Sequence, residues 1–433
     1  MFFEPEIETA GRDRIEALQL KRLRETVRRV YEHVPMYRGR LDEAGIGPDG
    51  IRSLDDLRRI PFTVKDDLRQ NYPFGMFATP MRDVVRIHAS SGTTGKPTVV
   101  GYTKEDLSTW STCMARLITA TGVGPDDIAQ VAFGYGLFTG AFGLHYALEK
   151  VGCAVVPISA GNTEKQLMLM QDFGVTVLIS TPSYAQYIAE TAQKMGLVPG
   201  RDLKLRVGLF GGEACSDAMR LDIERRLGML ATQNYGLSEV IGPGISGECE
   251  CQSGLHFNED HFIPEVIDPD TGRVLPPGEK GELVLTALTK QALPILRYRT
   301  KDLTRLIPEP CACGRTHMRM EKVMGRIDDM LIIRGVNVFP SQIEEVLASV
   351  EEVGPNYEIV VTREGYLDHM LVKVELNDSS LLERFSHLEG LENRIRQRIR
   401  TVLGLDVSVR LVEHQSLKRF EGKARRVTDL RKL

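Results

Sequence analysis

Val175-Thr-Val-Leu-Ile-Ser180 is followed by a helical run from Ser183 and then by Leu205-Arg-Val-Gly-Leu-Phe210. Two short apolar runs rich in β-branched residues, bracketing a helix, read as buried parallel strands joined by a crossover. The alternation extends outward from there. Upstream, Ile128-Ala-Gln-Val-Ala-Phe-Gly134 is strand-like, and Thr163-Glu-Lys-Gln166 has the form of a capping box opening a helix. Before them, Thr103-Lys-Glu-Asp106 caps an amphipathic segment with Leu107, Trp110, Met114, Leu117 and Ile118 on one face. Such repetition predicts an α/β fold with parallel layers.

The flanks differ in texture. Residues 1–75 read as a helical layer, with Leu18, Leu20, Leu23, Val27, Val30, Tyr31 and Val34 at helical spacing up to Pro35. Past Pro264, turn signals at Asp268-Pro-Asp-Thr-Gly272 and Pro276-Pro-Gly-Glu-Lys-Gly281 announce a small β-rich subdomain. The expected division is a large N-terminal domain, 1–325, made of 1–75, an α/β part 76–263 and the β-rich 264–325. A smaller α+β domain, 326–433, follows. Its elements are a strand at Met330-Leu-Ile-Ile-Arg334, a helix capped by Ser341-Gln-Ile-Glu344, a strand over 368–375, a helix over 392–402 and a strand over 407–412.

Composition narrows the function. The 433 residues are 42% hydrophobic and 26% charged, as in a soluble enzyme. Fifty-five basic against fifty-nine acidic side chains leave a net charge of −4, so no overall field gathers nucleic acid. No apolar run approaches the roughly 20 residues that cross a bilayer, and Met1-Phe-Phe-Glu-Pro5 lacks signal-peptide character, so a cytoplasmic protein without a membrane partner is expected. Seven cysteines, an odd number, argue against a disulfide framework. Cys113, Cys153 and Cys215 sit singly in apolar patterns as small buried hydrophobes, whereas Cys249 with Cys251 and Cys311 with Cys313 lie in loop sequence.

The strongest chemical signal is Ser90-Ser-Gly-Thr-Thr-Gly-Lys-Pro-Thr98, after the strand-like 84–88. Glycines and hydroxyls let backbone N–H groups converge on phosphate oxygens, with Lys96 as a point charge. It is not a Walker A loop, which needs Gly at Ser90 and Ser or Thr at Pro97, so Mg²⁺ needs a ligand from elsewhere. A flexible Ser/Gly turn is the plainer alternative.

Further segments follow in fixed order: Phe210-Gly-Gly-Glu213, Asn234-Tyr-Gly-Leu-Ser-Glu239, Arg297-Tyr-Arg-Thr-Lys-Asp302, Gly325-Arg-Ile-Asp-Asp329, Arg334-Gly335 and Gly422-Lys423. Together with the Ser90 loop they resemble the acyl-adenylate-forming enzymes. Pro61-Phe-Thr-Val-Lys-Asp-Asp-Leu68, Phe133-Gly-Tyr-Gly-Leu-Phe-Thr-Gly140, Asp260-His-Phe-Ile-Pro-Glu265 and 330–340 are similar to the phenylacetate–coenzyme A ligase branch, from about Leu18 to the C-terminus.

The resemblance implies a two-step ligase that converts an aryl acid, phenylacetate foremost, and ATP to acyl-AMP, then exchanges AMP for the thiol of coenzyme A. It gives Ser90, Ser91, Gly92, Thr93, Thr94, Gly95 and Lys96 the triphosphate, with Lys65 as a further phosphate contact. Glu239 would hold Mg²⁺. Glu213, Asn234 and Tyr235 would flank adenine, with Gly212 and Gly236 also at the nucleotide, Asp302 would take both ribose hydroxyls, and Arg326 would reach ribose or phosphate. Lys423 would serve adenylation, Asp328 the hinge, and Gly335 the approach of the thiol. The acyl pocket is expected near Tyr135, Phe138, Gly212, Ala214, Ile241, Pro243 and Gly244, with no Arg or Lys evident for the substrate carboxylate. The resemblance also suggests a homodimer, for which the Leu18–Val34 stripe offers a surface unless it packs on its own domain.

The cysteine pairs stand apart. Cys249, His256, Cys311 and Cys313 are the preferred ligands of a structural zinc, with Cys251 and His317 in reserve and a reduced thiol cluster as the alternative. Two other functions stay open: an adenylating enzyme that loads a carrier-protein thiol, and a zinc-containing ATP- or nucleic-acid-binding module.

Overall fold

The structure, a computed structural model, describes residues 1–90, 97–334, 336–364, 367–378, 385–420 and 424–431. Among the described residues the largest sheet has nine strands. Their order is Leu306–Ile307, Arg319–Met320, Leu255–Phe257, Gly242–Glu248, Leu230–Leu237, Val207–Phe210, Val177–Ser180, Ile128–Val131 and Ala154–Val156. The strands from 230–237 to 154–156 are parallel, as the alternating pattern predicts, and those before them are antiparallel.

Strand periodicity divides the core. Val177, Ile179, Val207 and Leu209 pack with the helices Lys104–Ala120 and Gly140–Val151. The intervening Leu178 and Phe210 face the helices Thr163–Phe173, Pro182–Lys194 and Asp217–Leu227 on the other side. Both faces are covered, which is why these strands read as unbroken apolar runs.

A second, antiparallel sheet holds Phe262–Ile267, Gly281–Ala287, Tyr298–Thr304 and Gly325–Arg326. Strands 306–307 and 319–320 leave it for the edge of the large sheet, so the expected β-rich stretch 264–325 feeds two sheets. The C-terminal part has its own core, where helices Pro340–Ala348 and Phe385–Leu403 pack with a sheet of Ser408–Val412, Leu367–Leu376, Val353–Glu364 and Val427–Asp429.

Two helix starts differ from expectation. Thr103 caps as predicted, accepting from the Asp106 N–H at 3.1 Å. Thr163 instead lies inside its helix behind Asn162, with its hydroxyl 3.2 Å from that of Tyr184. Ser341 likewise lies inside its helix, which Phe339 caps with Gln342, and its hydroxyl donates to the Met324 carbonyl at 2.8 Å. In both, a tertiary partner claims the hydroxyl that a local cap needs. The stripe on helix Arg12–His33 also finds its cover inside the chain: Leu23, Val27, Val30 and Val34 are fully buried in the largest core cluster. Most of the stripe therefore packs on its own domain, while Leu18, Leu20 and Tyr31 stay partly exposed.

The Ser90 loop joins two antiparallel strands, Arg86–Ala89 and Val99–Tyr102, and not a strand and a helix. Its described ends close on each other, with the Ser90 N–H donating to the Thr98 carbonyl at 2.9 Å and the Thr98 N–H to the Ser90 hydroxyl at 3.2 Å. Ser91, Gly92, Thr93, Thr94, Gly95 and Lys96 lie outside the described residues, as do Gly335 and Lys423.

Gly236 sets the tightest backbone approach near this region. A Cβ there would lie 1.9 Å from the Gly242 carbonyl oxygen. Gly236→Ala should cost about 2 kcal/mol or more of stability, read as a lowered thermal midpoint. A midpoint equal to the parent's would show that the hairpin does not need this approach.

Candidate nucleotide and acyl site

Asp302 is set by an irregular strand. The register between Glu282 and Val284 shifts, Lys301 adopts a left-handed φ of 64°, and the Asp302 N–H donates to the Thr300 hydroxyl at 3.0 Å. The carboxylate, only 3% exposed, accepts from the Tyr235 hydroxyl at 2.6 Å and from Arg326 at 2.8 Å. Arg326 also donates to both oxygens of Asp328, at 2.9 and 3.1 Å. Burial, the largest single influence, raises the Asp328 carboxyl, but the hydrogen bond and charge of Arg326, with the charge of Lys301, together outweigh it and hold the group below its ordinary value. Tyr235 thus serves Asp302 with its hydroxyl; burial and the adjacent carboxylate keep the phenol protonated.

Glu213 forms a second junction. One oxygen accepts from the Ser183 N–H at 2.7 Å and from the Ser183 hydroxyl. The other accepts from the N–H of Ala424 at 2.9 Å, so the C-terminal part is attached here, one residue after Lys423 in the chain. Asn234 donates to the Phe210 carbonyl at 2.9 Å, and Gly211 permits that approach, since a Cβ there would lie 2.9 Å from Asn234 oxygens. Gly212, with φ of 84°, turns the chain between Phe210 and Glu213.

Glu239 is 6% exposed and lies 3.6 Å from the Lys65 ammonium. Its hard carboxylate oxygens suit Mg²⁺. Lys65 opens the helix Lys65–Gln70, which presents it across the site.

The residues expected to form the acyl pocket separate into two groups. Ile241 and Gly244 are buried, and Gly212, Ala214 and Phe138 are exposed. Tyr135, between them, is half-buried and hydrogen-bonded to His145 at 3.0 Å. Trp110 holds the buried wall by donating to the Pro243 carbonyl at 2.6 Å, and Tyr102 by donating to that of Ile241 at 2.9 Å. The two rings stack at 5.0 Å. Gly143 and Gly242 make room for the indole, because a Cβ at either would come within 2.5 Å of it.

Behind Tyr102 lies a group that sequence reasoning missed. Lys290 is 4% exposed, with its ammonium 3.0 Å from the centre of the Tyr102 ring and no hydrogen-bond partner among the described residues. Burial pushes it down to about 7, against a weaker opposing pull from Asp106. One lysine among 55 basic residues carries no sign in the sequence that the fold will enclose it.

The cysteine cluster forms as expected. The ligand atoms of Cys249, His256, Cys311 and Cys313 lie within 4.8 Å of one another, with Cys249 to Cys311 at 3.7 Å and Cys313 to His256 Nε2 at 3.5 Å. A tetrahedral zinc with sulfur and nitrogen ligands sets such separations at about 3.5–3.8 Å. The reserves are elsewhere: Cys251 is exposed, and both His317 nitrogens meet backbone carbonyls, of Phe257 and Ile7, at 2.9 Å.

The AMP-binding enzyme family profile matches residues 52–287, and that of the AMP-binding enzyme C-terminal domain matches residues 335–431. A phenylacetate-coenzyme A ligase of Thermus thermophilus is 51% identical over 446 residues, covering 100% of both chains. The chain belongs to the phenylacetate–coenzyme A ligase family.

Solved structures add the arrangement of parts. That of 2-hydroxyisobutyryl-CoA ligase in the postadenylation state with 2-HIB-AMP superposes with a TM-score of 0.93 at 31% identity, covering 99% of this chain and 92% of that one. The same enzyme with 2-HIB-AMP and CoA in the thioesterification state gives 0.74 at 31% identity, covering 100% and 93%. The parts here are therefore arranged as in the postadenylation structure, in keeping with the Ala424 bond to Glu213. No helix among the described residues is long and apolar enough to cross a membrane.

Lys290 gives this site a pH signature. Its folded pKa of about 7 lies below its ordinary 10.5, so between those values the unfolded chain binds more protons. Stability rises with pH through that window, and the full penalty of burial is present below it. Lys290→Met should raise stability near neutrality by about 1–3 kcal/mol and flatten the slope of melting temperature from pH 7 to 10. An unchanged slope would contradict a buried, titrating Lys290.

Proposed function

We propose that this chain joins phenylacetate to coenzyme A in two steps driven by ATP. The acid's carboxylate oxygen bonds to the α-phosphorus while the bond to the pyrophosphate oxygen breaks. The thiol sulfur then bonds to the acyl carbon, AMP leaves with its phosphate oxygen, and the thiol proton passes to solvent. What supports this reading most is the convergence of Tyr235, Asp302, Arg326 and Asp328 in a chain half identical to a phenylacetate-coenzyme A ligase.

Asp302 retains acceptor capacity beside Tyr235 and Arg326, since a carboxylate offers about four lone-pair sites, and takes the ribose hydroxyls. Glu213, Asn234 and Gly236 border the adenine. The Ser90–Lys96 loop and Lys65 hold the triphosphate. Glu239 would hold Mg²⁺, which would supply positive charge beside the departing pyrophosphate. Tyr135, Phe138 and the Trp110-supported wall at Pro243 enclose the aryl ring. No protein nucleophile is needed, because positioning and charge stabilisation carry the step. Asp328 is assigned the hinge and Gly335 the thiol's path. Cys249, His256, Cys311 and Cys313 are assigned one structural zinc, and the protein is read as a cytoplasmic homodimer.

Lys423 is assigned to the first step alone, a role supported by the attachment of Ala424 at Glu213. Lys423→Ala should slow pyrophosphate release by about 10²-fold or more and leave thioester formation from preformed acyl-AMP within a few-fold of the parent. Equal losses in both half-reactions would contradict the assignment. Across a panel of phenylacetate, indoleacetate, benzoate and aminobenzoate, AMP formation should be fastest with phenylacetate and need free coenzyme A for turnover. A preference for a carrier-protein thiol would replace the proposed acceptor, and light scattering that finds only monomer at micromolar concentration would remove the dimer.

A further inference from the structure

The loop that supplies two of the cluster's cysteines also receives the N-terminus. Directly after Cys311 and Cys313, Arg315 donates to the Glu8 carboxylate at 2.7 Å and to the Met1 carbonyl at 2.6 Å, with its guanidinium 4.6 Å from the Phe2 ring. The Thr316 N–H donates to the Glu8 carbonyl at 3.1 Å and its hydroxyl to that of Ala10 at 2.7 Å. His317 meets the Ile7 carbonyl at 2.9 Å. Glu8 turns back on its own segment and accepts from the N–H groups of Phe3 and Glu4, both at 2.8 Å. Glu8 and Arg315 are 3% and 7% exposed, so this is an enclosed ion pair and not a surface contact. Away from the loop, the segment is held by Glu4 on Arg116 at 2.6 Å and by Phe3 against the core.

The flanks of the receiving loop are held by Arg319, which donates to the Glu309 carbonyl at 2.6 Å, and by His317 against the Phe257 carbonyl at 2.9 Å, whereas little besides the cluster shapes its tip over 311–314. Its turn closes with one backbone bond, from the Gly314 N–H to the Cys311 carbonyl at 3.1 Å, at a glycine with φ of 84°. The apolar cluster beneath it consists of Ala120, Cys249 and Cys311, with Cys313 partly buried against them. Three thiols and a methyl group bury too little apolar surface to fix a loop that must present Arg315 and Thr316 in register. A tetrahedral ion tying 311 and 313 to 249 and 256 would fix it, since the four side chains come from two segments that are far apart in the chain.

We propose that the metal held by Cys249, His256, Cys311 and Cys313 anchors residues 1–10: metal occupancy and docking of the N-terminal segment are linked equilibria. The inference rests on the zinc reading given above. Linkage is reciprocal, so metal loss frees the segment, and loss of the segment's contacts loosens the metal by the same factor.

The test uses the full chain, purified without a metal-affinity tag. Zinc is counted per chain, then stripped from the folded protein with a chelator, and a thermal melt checks that the fold survives. Trypsin cleavage at Arg12 and Arg14 is timed by mass spectrometry before stripping, after it, and after zinc alone is added back. Arg315→Ala, which leaves all four ligands in place, separates docking from ligation. Supporting results are about one zinc per chain, cleavage at least tenfold faster after stripping and slowed again by zinc, and Arg315→Ala protein that retains zinc but is cleaved fast and releases zinc to a chelator sooner than the parent. One zinc per chain with cleavage unchanged on stripping overturns the anchoring and leaves the zinc assignment standing. Absence of zinc from folded, active protein removes the assignment and the anchoring with it.

Discussion

Arg326 is the point on which the arrangement turns. The strand pairing sets it directly opposite Asp302, so its guanidinium reaches that carboxylate and, two residues on, both oxygens of Asp328. A carboxylate as enclosed as Asp302 is costly without a partner, and removing one member of a buried pair leaves an uncompensated charge. The large part, the candidate nucleotide site and the connection to the small part therefore share one cation. Bidentate guanidinium geometry also fixes direction, which a lysine in the same place would not.

Space does as much as charge at the wall proposed for the acyl pocket. The Trp110 indole reaches the Pro243 carbonyl only because Gly143 and Gly242 leave its volume free, and Tyr102 fills the plane beside it. The wall is thus set by helix 104–120, the same helix whose Arg116 pairs with Asp260 at 2.7 Å and with Glu4 of the N-terminal segment. A shift in that helix moves both ends at once.

Features that depend on near neighbours were legible in the sequence. Thr103 and Asp106 cap their helix because both partners sit within four residues, and the parallel strands announce themselves through apolar runs bracketed by helices. Cys249, His256, Cys311 and Cys313 were legible by residue type, since soft donors clustered in loops have few other reasons to be there. Thr163 and Ser341 carry the same local pattern as Thr103, yet Tyr184 and Met324 claim their hydroxyls across the fold. The sorting of 306–320 into the large sheet and the enclosure of Lys290 were equally hidden. Both follow from which surfaces meet, and no local window of sequence contains that information.

The contact between the two parts has one further property. Arg419, on the small part, donates to Glu375 of its own side at 2.7 and 2.8 Å and to Glu190 of the large part at 3.1 Å. If the small part rotates as the two states of 2-hydroxyisobutyryl-CoA ligase differ, Arg419 leaves Glu190 but takes Glu375 along. Its charge is never stranded, and Glu190 keeps Lys194 at 3.2 Å. Under such a rotation the interface would reopen with each half already neutralised, so a closed form could shield a labile mixed anhydride from water without becoming a trap.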